Sequence, residues 1–183
     1  MEMFQVLHKH GCGPELYCSF TNGICYEFVR GVVLDDILLR QPSVYRGLVL
    51  LNSKSTVKFI DYEYADFNYQ AYDIGNHFNE FAGISNVDSS LYPSCELQFD
   101  WLTAYLESFK WFNGVDSTVT KKEVQELYVQ VCKFSLVAHL FWCLWALLQA
   151  KHSTIDFDFQ RYAMARFNYY FEKKQEFFGM KLP

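Results

Sequence analysis

The chain has 183 residues, 51% of them apolar and 19% aromatic, which allows a sizeable core and argues against disorder. Its formal net charge of −5 leaves no basic footprint for nucleic acid. Cys12, Cys18, Cys25, Cys95, Cys132 and Cys143 are scattered without Cys-x-x-Cys spacing. They read as reduced, mostly buried thiols of a cytoplasmic protein rather than as zinc ligands or disulfides. The opening residues MEMFQVLHKHG carry no apolar stretch after a basic one, so no signal peptide is expected. Residues 134–148 are strongly apolar but shorter than the roughly 20 residues of a span, and they include Ser135 and His139. A buried core helix is the expectation there, with no membrane span.

Taken in order, residues 1–10 resemble the end of a helix. Two β-prone runs, 16–20 and 24–29, flank Thr21-Asn22-Gly23, and the Asn-Gly pair is a strong hairpin signal. Residues 31–46 are interrupted by polar groups, with a helical turn expected near 35–40. A second hairpin is predicted from 47–51 and 56–60 around Asn52-Ser53-Lys54-Ser55, delivering Asp61 to the end of a strand. From Asp73 the pattern becomes helical. Asp73, Asn76/His77 and Glu80 share one face, while Ile74, Phe78 and Phe81 share the other. Asp73 is read as the helix N-cap. Leu97, Trp101, Tyr105 and Phe109 recur every four residues in a helix started by Pro93-Ser94. Thr120-Lys121-Lys122-Glu123 spells a capping box opening a helix to about residue 150. Ser153-Thr154-Ile155-Asp156 is read as the start of the last helix, with Tyr162, Arg166 and Tyr169/Tyr170 on one stripe and an end at Glu172-Lys173-Lys174. Residues 120–171 are expected to pack as antiparallel helices.

The densest chemistry lies in residues 57–81. Asp61, Glu63, Asp66, Asp73 and Glu80 sit among Tyr62, Tyr64, Phe67, Tyr69, Tyr72, Phe78 and Phe81. Carboxylates beside that much aromatic surface are costly to bury unless something positive compensates. Asp61 is either a metal ligand or a turn aspartate. Trp142 and Trp145, at i and i+3, can share one pocket or simply pack.

The string FIDYEYADFNYQAYDIGNHFNEF resembles the signature of the choline/ethanolamine kinase family, and its ending NHFNEFAG is similar to the ethanolamine branch. The resemblance implies an α+β, protein-kinase-like fold, mainly the helical C-terminal lobe with one or two β-hairpins. It divides the chain into a hinge-proximal remnant, 1–46, and a C-terminal lobe, 47–183. It also implies ATP-dependent phosphorylation of ethanolamine (choline being the other candidate) on the way to phosphatidylethanolamine. Glu27, Phe28 and Val29 match the hinge that meets the nucleotide. Asp61 matches the ligand of Mg2+, and Asp73 the brace of the catalytic loop. Glu63, Tyr64, Glu80, Trp142, Trp145 and Tyr162 match the substrate pocket, where carboxylates and aromatic faces would hold an ammonium group. Phe81 stands where choline kinases commonly carry Trp.

One departure is large. The family's HxDxxxxN loop supplies the base and the second metal ligand, yet none of His8, His10, His77, His139 and His152 has Asp two places on. The chain runs from Pro42-Ser43-Val44-Tyr45-Arg46 directly into Gly47-Leu48-Val49. The expectation is therefore a truncated or alternatively spliced form without the small lobe and the loop, inactive by itself. The alternative is a non-catalytic fragment that binds substrate, forms a homodimer, or pairs with a full-length kinase.

Overall fold

A 32-residue helix is the member on which three other helices rest. The computed structural model describes residues 2–9, 11, 13–31, 33, 34, 38, 41, 44, 60–62, 64–84 and 87–183. In chain order these form α1 (Glu2–Lys9), β1 (Leu16–Phe20), β2 (Gly23–Tyr26), α2 (Gln70–Glu80), a 3-10 turn (Ser89–Leu91), α3 (Cys95–Phe112), α4 (Lys121–His152) and α5 (Phe159–Gly179). The second predicted hairpin, apart from Ile60, lies outside the described residues. So do most of the helical turn expected near 35–40, the 46/47 division and Glu63.

The strands β1 and β2 pair antiparallel, Phe20 opposite Gly23 and Cys18 opposite Cys25, with a bulge between Leu16 and Cys18. The turn residues are thus Thr21 and Asn22, and Gly23 already belongs to the returning strand. The return strand stops at Tyr26, short of the expected residue 29. Beyond it the Glu27 amide still donates to the Glu15 carbonyl at 2.8 Å.

Helix α2 begins at Gln70, one turn before Asp73. The amides of Tyr72 and Asp73 both reach the Tyr69 carbonyl, and Tyr69 caps with no side-chain bond. Asp73 is therefore not the N-cap. It lies in the first turn, where a carboxylate is still favoured by the exposed amides. The earlier start buries Ala71 with Ile74, Gly75 and Phe78.

Helices α3 and α4 start as their sequences require. Ser94 accepts from the Leu97 amide. At α4 the capping box is complete: Thr120 Oγ1 accepts from the Glu123 amide, and Glu123 Oε2 accepts from the Thr120 amide at 2.8 Å. Lys110 Nζ, 2.7 Å from Glu123 Oε1, ties the end of α3 to this corner. Those contacts hold the Glu123 carboxyl well down, at about 2.

Helix α4 buries one side against α2 and α3 through Ile74, Phe78, Phe81, Trp101, Leu102, Val124, Leu127 and Val131. Its later turns pack on α5. Cys143 and Ala146 meet Phe159, Tyr162 and Ala163, whereas Cys132 and Leu136 meet Phe177, so the two helices run antiparallel as expected. Helix α5 is displaced from its predicted bounds. Its N-cap is Asp158, accepting from the Arg161 amide at 2.9 Å, and it continues through residues 172–174 to Gly179. Phe177 extends it by giving the last turn a core contact.

Length and composition would let α4 cross a membrane. In this structure it is half covered: Ser135, Leu136, Ala138, His139, Cys143 and Ala146 are buried, while Val137, Phe141, Leu144, Leu147 and Leu148 are exposed.

Candidate functional site

Where α2, α4 and the start of α5 meet, they line an open cavity of about 370 Å3. Its walls are Asn76 and Glu80 from α2, Ile84 beyond it, Trp142 and Trp145 from α4, Ile155 and Phe157 from the α4–α5 connection, and Phe159 and Tyr162 from α5. Residues 76 and 80 are one helical turn apart, and 142 and 145 nearly so, which brings each pair to one side of its helix.

The aromatic members form a continuous chain of edge-to-face contacts. Ring centroids are 5.9 Å apart for Tyr64–Trp142, 5.3 Å for Trp142–Trp145 and 5.7 Å for Trp145–Phe159. Phe157 closes it at 4.9 Å from Phe159 and 5.9 Å from Tyr162. Both indole N–H groups are occupied. Trp142 Nε1 donates to Asn76 Oδ1 at 2.6 Å, and Trp145 Nε1 to the Tyr64 hydroxyl at 3.0 Å. Their edges being held, the two rings keep a fixed attitude to the cavity.

The charge in this wall is shared. Glu80 Oε1 accepts from Arg166 Nη2 at 2.6 Å, with Arg166 1% exposed and Glu80 29%. The Arg166 guanidinium also stands 4.9 Å above the Tyr162 ring. Burial is the main cause that pushes the Tyr162 hydroxyl up to about 12, so it is neutral at pH 7. Behind Arg166, His139 is buried with both ring nitrogens unpartnered and its ring 4.8 Å from Tyr169. Burial first, and the Arg166 charge second, hold His139 down to about 3.

Of the residues predicted for the substrate pocket, Glu80, Trp142, Trp145 and Tyr162 line this one cavity, and Tyr64 braces its tryptophans. Glu63 lies outside the described residues. Asn76, Phe157 and Phe159 were missed. Asn76 carries a usable signal, since it stands one turn before Glu80, whereas Phe157 lies in the connection before α5 and Phe159 is its first residue, where helical spacing gives no guide. The face shared by Asn76 and His77 is also split. Asn76 turns to the cavity, and His77 packs 5.6 Å from Trp101 and 5.3 Å from Phe81, where burial lowers it to about 4.

The nucleotide and metal residues are not brought to the cavity. Asp61 is exposed, in the left-handed region at φ 64°. Among the described residues no group of three or more His, Cys, Asp or Glu could hold a metal. Among the described residues Asp61 would supply one of the several hard oxygen ligands that Mg2+ requires. Phe28 is 83% exposed, and the Glu27 amide is already used by Glu15.

Against known proteins, the choline/ethanolamine kinase family profile matches residues 1–49 and 44–171. The two matches meet at 44–49, where the expected catalytic loop is missing. Human ethanolamine kinase 1 is 38% identical over 269 aligned residues, taking in 100% of this chain. That alignment is longer than the 183 residues available, so the relative carries residues without counterpart here. The chain spans 60% of that relative's length. Ethanolamine kinase of Drosophila melanogaster is 44% identical over 155 residues, covering 85% of this chain and 29% of its own. Among solved structures, ethanolamine kinase of Plasmodium vivax superimposes with a TM-score of 0.77 at 20% identity, over 94% of this chain and 72% of that one. That likeness establishes the kinase-like fold, and with the profile covering both halves of the sequence, the chain belongs to the choline/ethanolamine kinase family.

Proposed function

We propose that this chain carries the ammonium-binding part of an ethanolamine kinase, an enzyme that transfers a phosphoryl group from ATP to ethanolamine, without the groups that perform the transfer. The observation that supports it is the aromatic cavity with Glu80 in its wall. An ammonium ion beside Trp142, Trp145 and Tyr162 gains about 0.5–2 kcal/mol from a well-placed ring. Arg166 holds one oxygen of Glu80, so the carboxylate offers an incoming cation its other oxygen and only part of its charge. The expected affinity for ethanolamine or choline is therefore millimolar, or about 4 kcal/mol.

The missing loop sets the chemistry. Phosphoryl transfer needs an aspartate to accept the hydroxyl proton and a clamp of metal ligands around the phosphates. In the family's pattern the aspartate base is absent from the sequence, and of the metal ligands only Asp61 has a match. The test has two arms on the purified chain. Ethanolamine should change tryptophan fluorescence at millimolar concentration, a response lost in Trp145→Leu while the circular dichroism stays unchanged. Phosphotransfer from ATP should be undetectable beside an intact family member. A folded chain with no fluorescence response would remove the binding reading, and turnover near that of the intact enzyme would remove the inactive one.

A second reading, pairing with an intact kinase subunit, draws on the exposed Val137, Phe141, Leu144 and Leu148, which follow one stripe of α4. Dose-dependent inhibition or co-elution with an intact enzyme would favour it over simple ligand binding.

A further inference from the structure

Cys18 and Cys25 stand directly opposite each other on β1 and β2, and both are exposed. We propose that they are a reversible cross-strand disulfide site, closed by a small-molecule disulfide such as oxidised glutathione, that braces the hairpin.

Geometry supplies the first argument. Residues directly opposed on an antiparallel pair have Cα atoms about 4.5–5.5 Å apart, within the ~4.4–6.8 Å that a disulfide bridges. Their side chains leave the same face of the hairpin. No other pair of cysteines is matched in a strand register among the described residues. Cys132 and Cys143 are buried in the helical core, and Cys95 sits at the start of α3.

The second argument is energetic. An isolated two-stranded hairpin is marginal in water. Here β2 is exposed along its whole length, and β1 is exposed at every position but Leu16. The hairpin has little packing to hold it, so a covalent link between its strands restricts the opened ensemble directly. An exposed cross-strand bond is also of the labile kind that reducing thiols reopen. Desolvation first, then the Cys25 charge and hydrogen bond, raise the Cys18 thiol. Once either thiol has reacted, its partner is in place to resolve the adduct.

The reaction balances with glutathione as the oxidant. One protein thiolate attacks a sulfur of oxidised glutathione, forming a mixed disulfide and expelling one glutathione thiolate. The partner thiolate then attacks the protein sulfur of that mixed disulfide and expels the second. The two cysteines are oxidised, oxidised glutathione is reduced to two molecules of glutathione, and both protein protons go to solvent or to the departing thiolates.

The full chain, reduced, is incubated with mixtures of oxidised and reduced glutathione, trapped with N-ethylmaleimide and mapped by mass spectrometry. The expected product is one internal bond, Cys18 to Cys25, lighter by about 2 Da and reopened by dithiothreitol. Amide exchange of Phe20 and Gly23, the hydrogen-bonded pair that closes the turn, should slow roughly tenfold or more in the oxidised form. Cys18→Ser should leave Cys25 as a stable glutathione adduct, and Cys25→Ser the reverse. Two separate adducts on the unaltered chain, or a bond from either residue to Cys12, Cys95 or another molecule, would overturn the pairing. Unchanged exchange in the oxidised form would overturn the bracing.

Discussion

Gly75→Ala tests how closely α2 must approach α4 for the cavity to exist. A Cβ at residue 75 would lie 2.8 Å from the Ser135 amide nitrogen and 2.9 Å from the Val131 carbonyl oxygen, whereas ordinary contacts begin at 3.4 Å. Both obstacles are helix backbone, so neither can rotate aside. The helices must separate by roughly 0.5–1 Å, a gap that forfeits a quarter to a half of each dispersion contact it opens. Ala71, Ile74 and Phe78 lie on this seam, as does the 3.1 Å bond from Asn79 Nδ2 to the Ser135 carbonyl. Overpacking of this kind costs about 1–3 kcal/mol, and alanine's better helix propensity returns at most about 1 kcal/mol. We expect a net loss of about 1–2 kcal/mol, a Tm lower by roughly 2–8 °C. Asn76 is next in sequence, so the Trp142 fluorescence should also shift as its 2.6 Å bond loosens. Gly179→Ala, where an added Cβ meets nothing within 4 Å, is the control and should be neutral or slightly stabilising. Urea unfolding at pH 7 measures both. A Gly75→Ala protein as stable as the parent would refute the close-crossing argument.

Three further outcomes follow from the structure. His77 and His139 titrate at about 4 and about 3 when folded but near 6.5 when unfolded, so their neutral burial is costless above pH 6.5 and stability falls as pH drops below it. At pH 5 the urea-derived stability should be lower by about 2–4 kcal/mol than at pH 7, and His139→Phe should reduce that difference; equal stabilities at the two pH values would contradict it. Glu80→Gln should cost about 3 kcal/mol by leaving Arg166 buried without its partner, and Arg166→Met in the same chain should recover part of the loss. Strictly additive single changes would mean that the 2.6 Å pair is not coupled. Thr120→Ala removes the acceptor for the Glu123 amide and should lower Tm by roughly 2–4 °C, about 1 kcal/mol, with no change in the fluorescence response to ethanolamine.

Some of this molecule is written locally. The capping box at Thr120 and Glu123, the Ser94 start of α3 and the one-sided placing of Trp142 with Trp145 depend on neighbours within a turn. Residue type and spacing were therefore enough to read them, and the family resemblance pointed to Tyr64, Glu80, Trp142, Trp145 and Tyr162 as one group. Other features depend on partners far along the chain. Helix α2 starts at Gln70 because Ala71 and Gly75 meet α4, a contact that no propensity near Asp73 encodes. Asn76 and His77 look alike in a helical pattern, yet one accepts the Trp142 indole N–H on its side-chain oxygen and the other enters the Trp101 cluster. Glu80 read by itself is a free negative charge, and only the fold supplies Arg166, 86 residues later, to share it. Periodicity tells which side of a helix is apolar. Which helix covers that side, and how near it comes, is decided by backbone contact and by the cost of leaving a buried charge unpaired.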